Sequence, residues 1–218
     1  MDTAFQTGCF DTHCKRCTRL TDFMADVKTK NPTYFCKPVP PFGDADARLL
    51  IVGLAPGMHG ANRTGRPFTG DYAGVLLYET LHKFGFATQP QSIAADDSLR
   101  LINCRISNAV KCLPPENKPL PAEIATCNGF LSAELQQLKE NSVILALGLI
   151  AHQAVIKGLN LKIKDYKFGH AAQHHLPNGM VLVDSYHCSR YNTQTKRLTA
   201  QMFEDVFAQI QTLLAKES

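Results

Sequence analysis

Residues 48–57 read RLLIVGLAPG, and 58–71 continue MHGANRTGRPFTGD. Leu49 to Val52 is an unbroken apolar run without alternation. That pattern suits a strand buried on both faces, as in a parallel sheet. The run stops at Gly53 and enters a long loop; residues 51–71 hold five glycines, two prolines, two arginines and a single aspartate. A loop of this composition at the end of a parallel strand sits where open α/β sheets build their sites.

Three further apolar runs read as strands, at 101–110, 143–147 and 180–184. Between and around them, helical patterns cover 18–30, 72–84, 121–139, 148–156 and 195–214, with Pro121 at a first helical position. Strands alternating with helices predict an α/β class: a three-layer α/β/α sandwich around a mostly parallel, four-stranded sheet. Residues 31–46 are Pro-rich and extended, and 87–98 read as a surface loop. No internal repeat is present. The 218 residues are expected to form a single domain, 1–218, with an N-terminal segment over 1–46. The unusual loops follow the first, second and fourth strands, so all three are expected on one rim.

The formal net charge is +4, compatible with a polyanionic partner but too small to establish one. No apolar run is long enough for a membrane span, and MDTAFQTGCFDTH at the N-terminus has no apolar signal core. The expectation is a cytoplasmic protein without membrane contact.

Eight cysteines are many for that compartment, where disulfides are rare. Cys14 and Cys17 form a C-x2-C pair, and Cys112 and Cys127 are separated by fourteen residues. Four thiolates brought together can hold zinc or an iron–sulfur cluster, and spacing does not separate the two. Four unrelated thiols fit the spacing about equally well. Cys9, Cys36, Cys104 and Cys188 read as small buried hydrophobes. His174 and His175 read as surface residues with nothing to pair with.

Neither G-x-G-x-x-G nor G-x-x-x-x-G-K-[ST] occurs, so those two modes of phosphate cradling are unsupported. Three segments instead carry a resemblance: GLAPGMHGANRTGRPFTGD, SNAVKCLPPENKP and HCSRYNT. Together with PVPPFGDADARLLIVGLAPG and the four spaced cysteines, the chain closely resembles the uracil-DNA glycosylase superfamily, in its iron–sulfur branch. Within that branch it is similar to family five (type B). Family four carries a catalytic glutamate in a GEAPG-like motif; here that position is Leu54. Family five uses the aspartate that ends the T-G-D segment, which is Asp71 here.

The resemblance implies a role for each of these residues, and each role has an ordinary alternative. Cleaving an N-glycosidic bond builds positive charge on the sugar and negative charge on the leaving base. A carboxylate near the sugar suits Asp71, which could equally cap the next helix. His187 would donate a hydrogen bond to the base, although most histidines are core or surface residues. Asn108 would read the base through its carboxamide, and Phe68 would stack on the extruded ring. A strand-end asparagine and a core phenylalanine are the plain readings. Gly53, Ala55 and Gly57 would let the backbone approach the nucleotide. Arg63, Arg66, Ser189 and Arg190 would contact DNA, against solvated surface as the alternative.

The resemblance therefore implies a DNA repair enzyme: a monofunctional glycosylase that hydrolyses uracil, and other deaminated bases such as hypoxanthine, from DNA and leaves an abasic site. The metal ligands would be Cys14, Cys17, Cys112 and Cys127, holding a 4Fe–4S cluster rather than zinc. Its partner is DNA containing such bases, bound by a monomer. Lys111 lies near the motifs and is a position to check for lysine chemistry. The rival reading is a damaged-DNA-binding protein of the same fold with weak catalysis.

Overall fold

A computed structural model describes residues 10–215, so Cys9 lies outside the described residues. Its centre is a run of four parallel strands, β2 (Leu49–Gly53), β3 (Cys104–Asn108), β4 (Val143–Leu147) and β6 (Val181–Ser185). Every residue in these four strands is buried, as a sheet covered on both faces requires.

The sheet has six strands rather than four, in the order β1-β3-β2-β4-β6-β5. The additions are β1 (Phe42–Gly43) and β5 (Gln173–His175), antiparallel on the two edges. They are two and three residues long and partly exposed, so they carry no apolar run that a sequence reading could detect. The expected strand over 101–110 shortens to β3, with Leu101 making only an isolated bridge to Ala87.

Side-chain alternation sorts the core into two layers. Leu49, Ile51, Leu145 and Val183 face α3 (Tyr72–Lys83) and α7 (Ala200–Ala215), packing with Leu77, Leu81, Phe203 and Phe207. Leu50, Val52, Ile144, Ala146 and Leu182 face α4 (Pro121–Gln136) and α5 (Leu149–Gly158), through Leu131, Leu135 and Val155. Phe203 and Phe207 are fully buried, and truncating either to alanine is expected to cost about 3–5 kcal/mol.

The other helices are short or peripheral. α1 (Thr18–Lys30) sets Leu20, Met24 and Val27 against Val110, Leu113 and Cys127. Within the glycine loop, α2 (Ala61–Thr64) makes one turn and ends at Gly65, whose φ of 80° is left-handed. The helix expected over 195–214 begins only at Ala200 as α7, and a separate short helix, α6 (Arg190–Gln194), precedes it where none was expected. Lys196 takes a φ of 56° between them, and Leu198 is buried as an anchor. Among the described residues, no helix is long and apolar enough to cross a membrane.

From β2 the chain moves to β3 on one side, then crosses back to β4 and β6 on the other. The strand order therefore reverses between β2 and β4. A crevice outside the carboxyl ends of the strands is expected at that point.

Candidate active site

A cavity of about 610 Å³ opens at that position. Its walls come from the loops after β2, β3, β4 and β6, so the three unusual loops do share one rim. Of the residues singled out in the sequence, Ala55, Gly57, Phe68, Asp71, Asn108, His187 and Ser189 line it.

Asp71 is both a helix cap and a cavity wall. It is the N-cap of α3, its Oδ1 accepting from the Gly74 amide at 3.0 Å. Its other oxygen, Oδ2, lies against Gly57 and Gly60: a Cβ on Gly57 would sit 3.2 Å from it, and one on Gly60 would overlap it. Burial pushes the Asp71 carboxyl above its usual range, partly offset by the backbone amides of Gly74 and Ala73. Among the lining residues it is the one acid. Leu54, at the position of the sister family's glutamate, presents an apolar side chain to the same cavity.

Asn108 closes β3, and its Oδ1 is buried without a hydrogen-bond partner. Gly53, the last residue of β2, sits opposite. A Cβ on Gly53 would lie 2.5 Å from Asn108 Oδ1 and 2.7 Å from Phe68 Cζ. Gly53 does not line the cavity; it makes room for the two side chains that do. Phe68 is held at a φ of 53°, unusual for a phenylalanine, with Tyr78 Oη donating to the preceding Pro67 carbonyl at 2.9 Å.

His187 follows β6 by two residues, its ring stacked on Phe68 at 5.9 Å and 27°. Its Nδ1 is buried and has no partner. Loss of water around the ring pushes its pKa down to about 4, so the imidazole is neutral at physiological pH and can donate from one nitrogen only. The backbone is fixed by Asn192, whose Nδ2 donates to the His187 carbonyl at 2.8 Å. Ser189 Oγ caps α6 by accepting from the Asn192 amide at 3.4 Å.

The arginines divide. Arg66, expected at DNA, is buried instead, with its guanidinium 2.6 Å from Asp97 Oδ2, 2.8 Å from Ser92 Oγ and over the ring of Phe42. It braces the glycine loop against the 87–98 loop and has no face left for a phosphate. Arg63 donates to the His59 and Gly70 carbonyls on the loop surface. Arg190 is exposed beside the cavity, over the Tyr72 ring.

Sequence reasoning missed Asn117, Gly148, Phe168, Tyr186 and Arg197, which also line the cavity. Gly148, at a φ of 98°, carried a turn signal immediately after a strand. Phe168 and Arg197 had none, because nothing local distinguishes them.

Cys14, Cys17, Cys112 and Cys127 converge on a small void walled by Leu20, Val110 and Phe130. Burial pushes Cys112 up to about 12, and the three neighbouring thiols add to the shift. The Lys111 amide donates to Cys127 Sγ at 3.3 Å. A second group of possible ligands, His152, His174 and Asp184, has its ligand atoms within 4.8 Å of one another. Of the other cysteines, Cys104 and Cys188 are fully buried and Cys36 half-buried.

That histidine–aspartate group corrects the reading of His174 as an unpaired surface residue. His174 Nε2 lies 3.1 Å from Asp184 Oδ2, and His152 bridges Asp184 Oδ1 at 2.8 Å and the Tyr166 carbonyl at 3.0 Å. Ligands at about 2.0–2.2 Å from a tetrahedral ion would stand roughly 3.4 Å apart. The observed 2.8 and 3.1 Å are hydrogen-bond lengths, so protons bridge this group. Lys111 is also fully engaged. It is buried and paired with Glu134 at 2.7 Å, away from the cavity lining, so it is no candidate for lysine chemistry there.

Residues 40–211 match the family model described as the uracil DNA glycosylase superfamily. The chain is 44% identical over 207 residues to a type-5 uracil-DNA glycosylase of Thermus thermophilus, covering 93% of this chain and 94% of that one. It is 38% identical over 198 residues to the type-5 enzyme of Pyrobaculum aerophilum, covering 89% and 86%. With the type-5 enzyme of Mycobacterium bovis the figures are 40% over 213 residues, 94% of this chain and 79% of the relative.

Proposed function

The chain belongs to the uracil-DNA glycosylase superfamily, and we propose that it is a monofunctional uracil-DNA glycosylase of type-5 character that acts in DNA repair. The observation that carries this reading is one cavity lined by the half-buried Asp71 carboxylate, an Asn108 whose Oδ1 has no partner, and a neutral His187 imidazole stacked on Phe68. The uracil base, extruded from the duplex, stacks against Phe68 and meets the Asn108 carboxamide, whose Oδ1 accepts from N3–H and whose amino group donates to O4. As the glycosidic bond lengthens, His187 donates to the base oxygen that gains charge. A neutral donor serves here, since no proton need leave the ring to stabilise that oxygen. Asp71 stabilises the cationic sugar and orients the water that attacks it. Gly57 and Gly60 hold the space in which its Oδ2 sits.

Water is the nucleophile because no lysine lines the cavity and Lys111 is committed to Glu134. The rival reading of a binding protein with weak catalysis has no observation in its favour, since the carboxylate and the donor share the cavity. Hypoxanthine and other deaminated bases belong to the same substrate class. Arg63, Ser189 and Arg190 remain candidates for contact with the DNA backbone.

The four cysteines that line one small void are the candidate ligands of the 4Fe–4S cluster that the resemblance implies, with zinc as the alternative occupant. Such a cluster would tie the N-terminal segment to β3 and α4. Its part is structural, since Cys112 is four residues beyond Asn108.

The test is excision from a labelled duplex carrying one uracil opposite guanine or adenine. Strand scission only after alkali, with no borohydride-trapped adduct, is the expected result. An adduct would overturn the water mechanism, and no product from uracil or hypoxanthine would overturn the enzyme. Brown protein absorbing near 400 nm is expected; colourless protein with stoichiometric zinc would refute the cluster.

A further inference from the structure

Arg197 is the one side chain in the cavity lining with a permanent positive charge, and none of the roles above uses it. Its guanidinium carbon lies 4.7 Å over the ring of Tyr186. Tyr186 is itself stacked on His170 at 5.0 Å and 20°, and its amide donates to His170 Nδ1 at 3.2 Å. The shelf under the guanidinium is therefore fixed by two contacts. The chain around Arg197 is fixed too: Leu198 is fully buried and its amide donates to the Asn192 carbonyl at 3.1 Å. Asn192 in turn holds the His187 carbonyl, so Arg197 is tied to the base-contacting histidine through Leu198 and Asn192.

Among the described residues, no hydrogen bond or ion pair engages the Arg197 guanidinium, whereas Arg63 and Arg66 are both committed. A guanidinium over an aromatic ring keeps its N–H edge free, and that planar fork matches a phosphate. A nucleotide drawn into this cavity brings its own flanking phosphates, and the other polar groups in the walls, among them Asn117, Ser189 and Asn192, are uncharged, while Asp71 would repel them.

We propose that Arg197, presented on the Tyr186 ring, grips a backbone phosphate flanking the extruded nucleotide; this rests on the glycosylase reading. It takes the place that the sequence had suggested for Arg66.

The test is the equilibrium affinity for a duplex carrying one 2′-fluoro-2′-deoxyuridine, whose fluorine slows bond cleavage, measured against salt concentration. Arg197→Gln is expected to lower the slope of log K against log salt by about one, and Arg197→Lys to restore it. A neutral methylphosphonate at one flanking phosphate should weaken the wild type about tenfold and leave Arg197→Gln unchanged. A wild-type slope in Arg197→Gln, or equal losses for both proteins with methylphosphonate on either side, overturns the proposal. Excision from an ordinary uracil duplex is run alongside. Wild type that excises while Arg197→Gln keeps the wild-type slope removes only the phosphate contact; wild type that neither excises nor binds removes the glycosylase reading and this proposal with it.

Discussion

Two imidazoles lie on either side of the end of β6, and they are treated in opposite ways. His152 has both ring nitrogens at hydrogen-bond distance from acceptors, Asp184 and the Tyr166 carbonyl. His187, three residues after Asp184, has a buried Nδ1 that meets nothing, and it shares its cavity with Asn108, whose Oδ1 is equally orphaned. Burying a polar group without a partner is costly, so proteins rarely leave one. Where the partner is internal, the group holds the fold. Where it is missing beside an open cavity, an incoming molecule is the natural partner. The contrast separates a structural knot from a site on hydrogen bonding alone.

The largest effects should fall on opposite observables. His152→Leu leaves Asp184 held by His174 alone and orphans its Oδ1 in the core, and a buried polar group left unsatisfied costs about 1–3 kcal/mol, more when charged. A denaturant titration that finds less than about 1 kcal/mol would break the comparison from the structural side. His187→Ala removes an unsatisfied group, so its melting temperature should stay at or above wild type. Its single-turnover rate should fall by about 10²–10³, the usual cost of one lost oxyanion donor. A destabilised His187→Ala with an unchanged rate would reverse the two roles.

Gly60→Ala sharpens the same point. Gly60 lies at φ −98° and ψ −113°, outside the usual α and β regions, and a methyl there would also overlap Asp71 Oδ2. A rate loss of about 10² is expected with KM little changed, as for a reacting group displaced by about 1 Å. The smallest effect is on pH dependence. Asp71 acts ionised, and its carboxyl is raised by burial, so activity should fall as pH drops through a value above the ordinary 3.9 or so. His187 is neutral down to about 4, so His187→Gln should leave that acid limb where it is. A limb that moves with His187 would assign the titration to the wrong group.

The comparison also explains what the sequence could disclose. The four central strands were legible because a strand buried on both faces is written as a continuous apolar run. β1 and β5 were not, being too short and too exposed to leave a pattern. The break between α6 and α7 depends on Lys196 in a left-handed turn, which its residue type does not announce. Asp71, Asn108 and His187 stood out through motif resemblance, since an isolated Asp, Asn or His reads equally well as a cap, a turn or a core residue. Arg66 misled because its partner Asp97 is 31 residues away, and His174 because Asp184 reaches it only across a strand pair. Such long-range pairing decides whether a charge faces solvent or the core, and no local pattern encodes it.

The central claim is that Asp71 carries the chemistry while its cap role is shared with any hydrogen-bond acceptor. Asp71→Asn preserves the cap oxygen toward Gly74 and removes the charge. Single-turnover excision of uracil from a duplex should fall by about 10² or more in this variant, with DNA affinity and melting temperature held at or above wild type. A variant that excises at the wild-type rate would contradict the account.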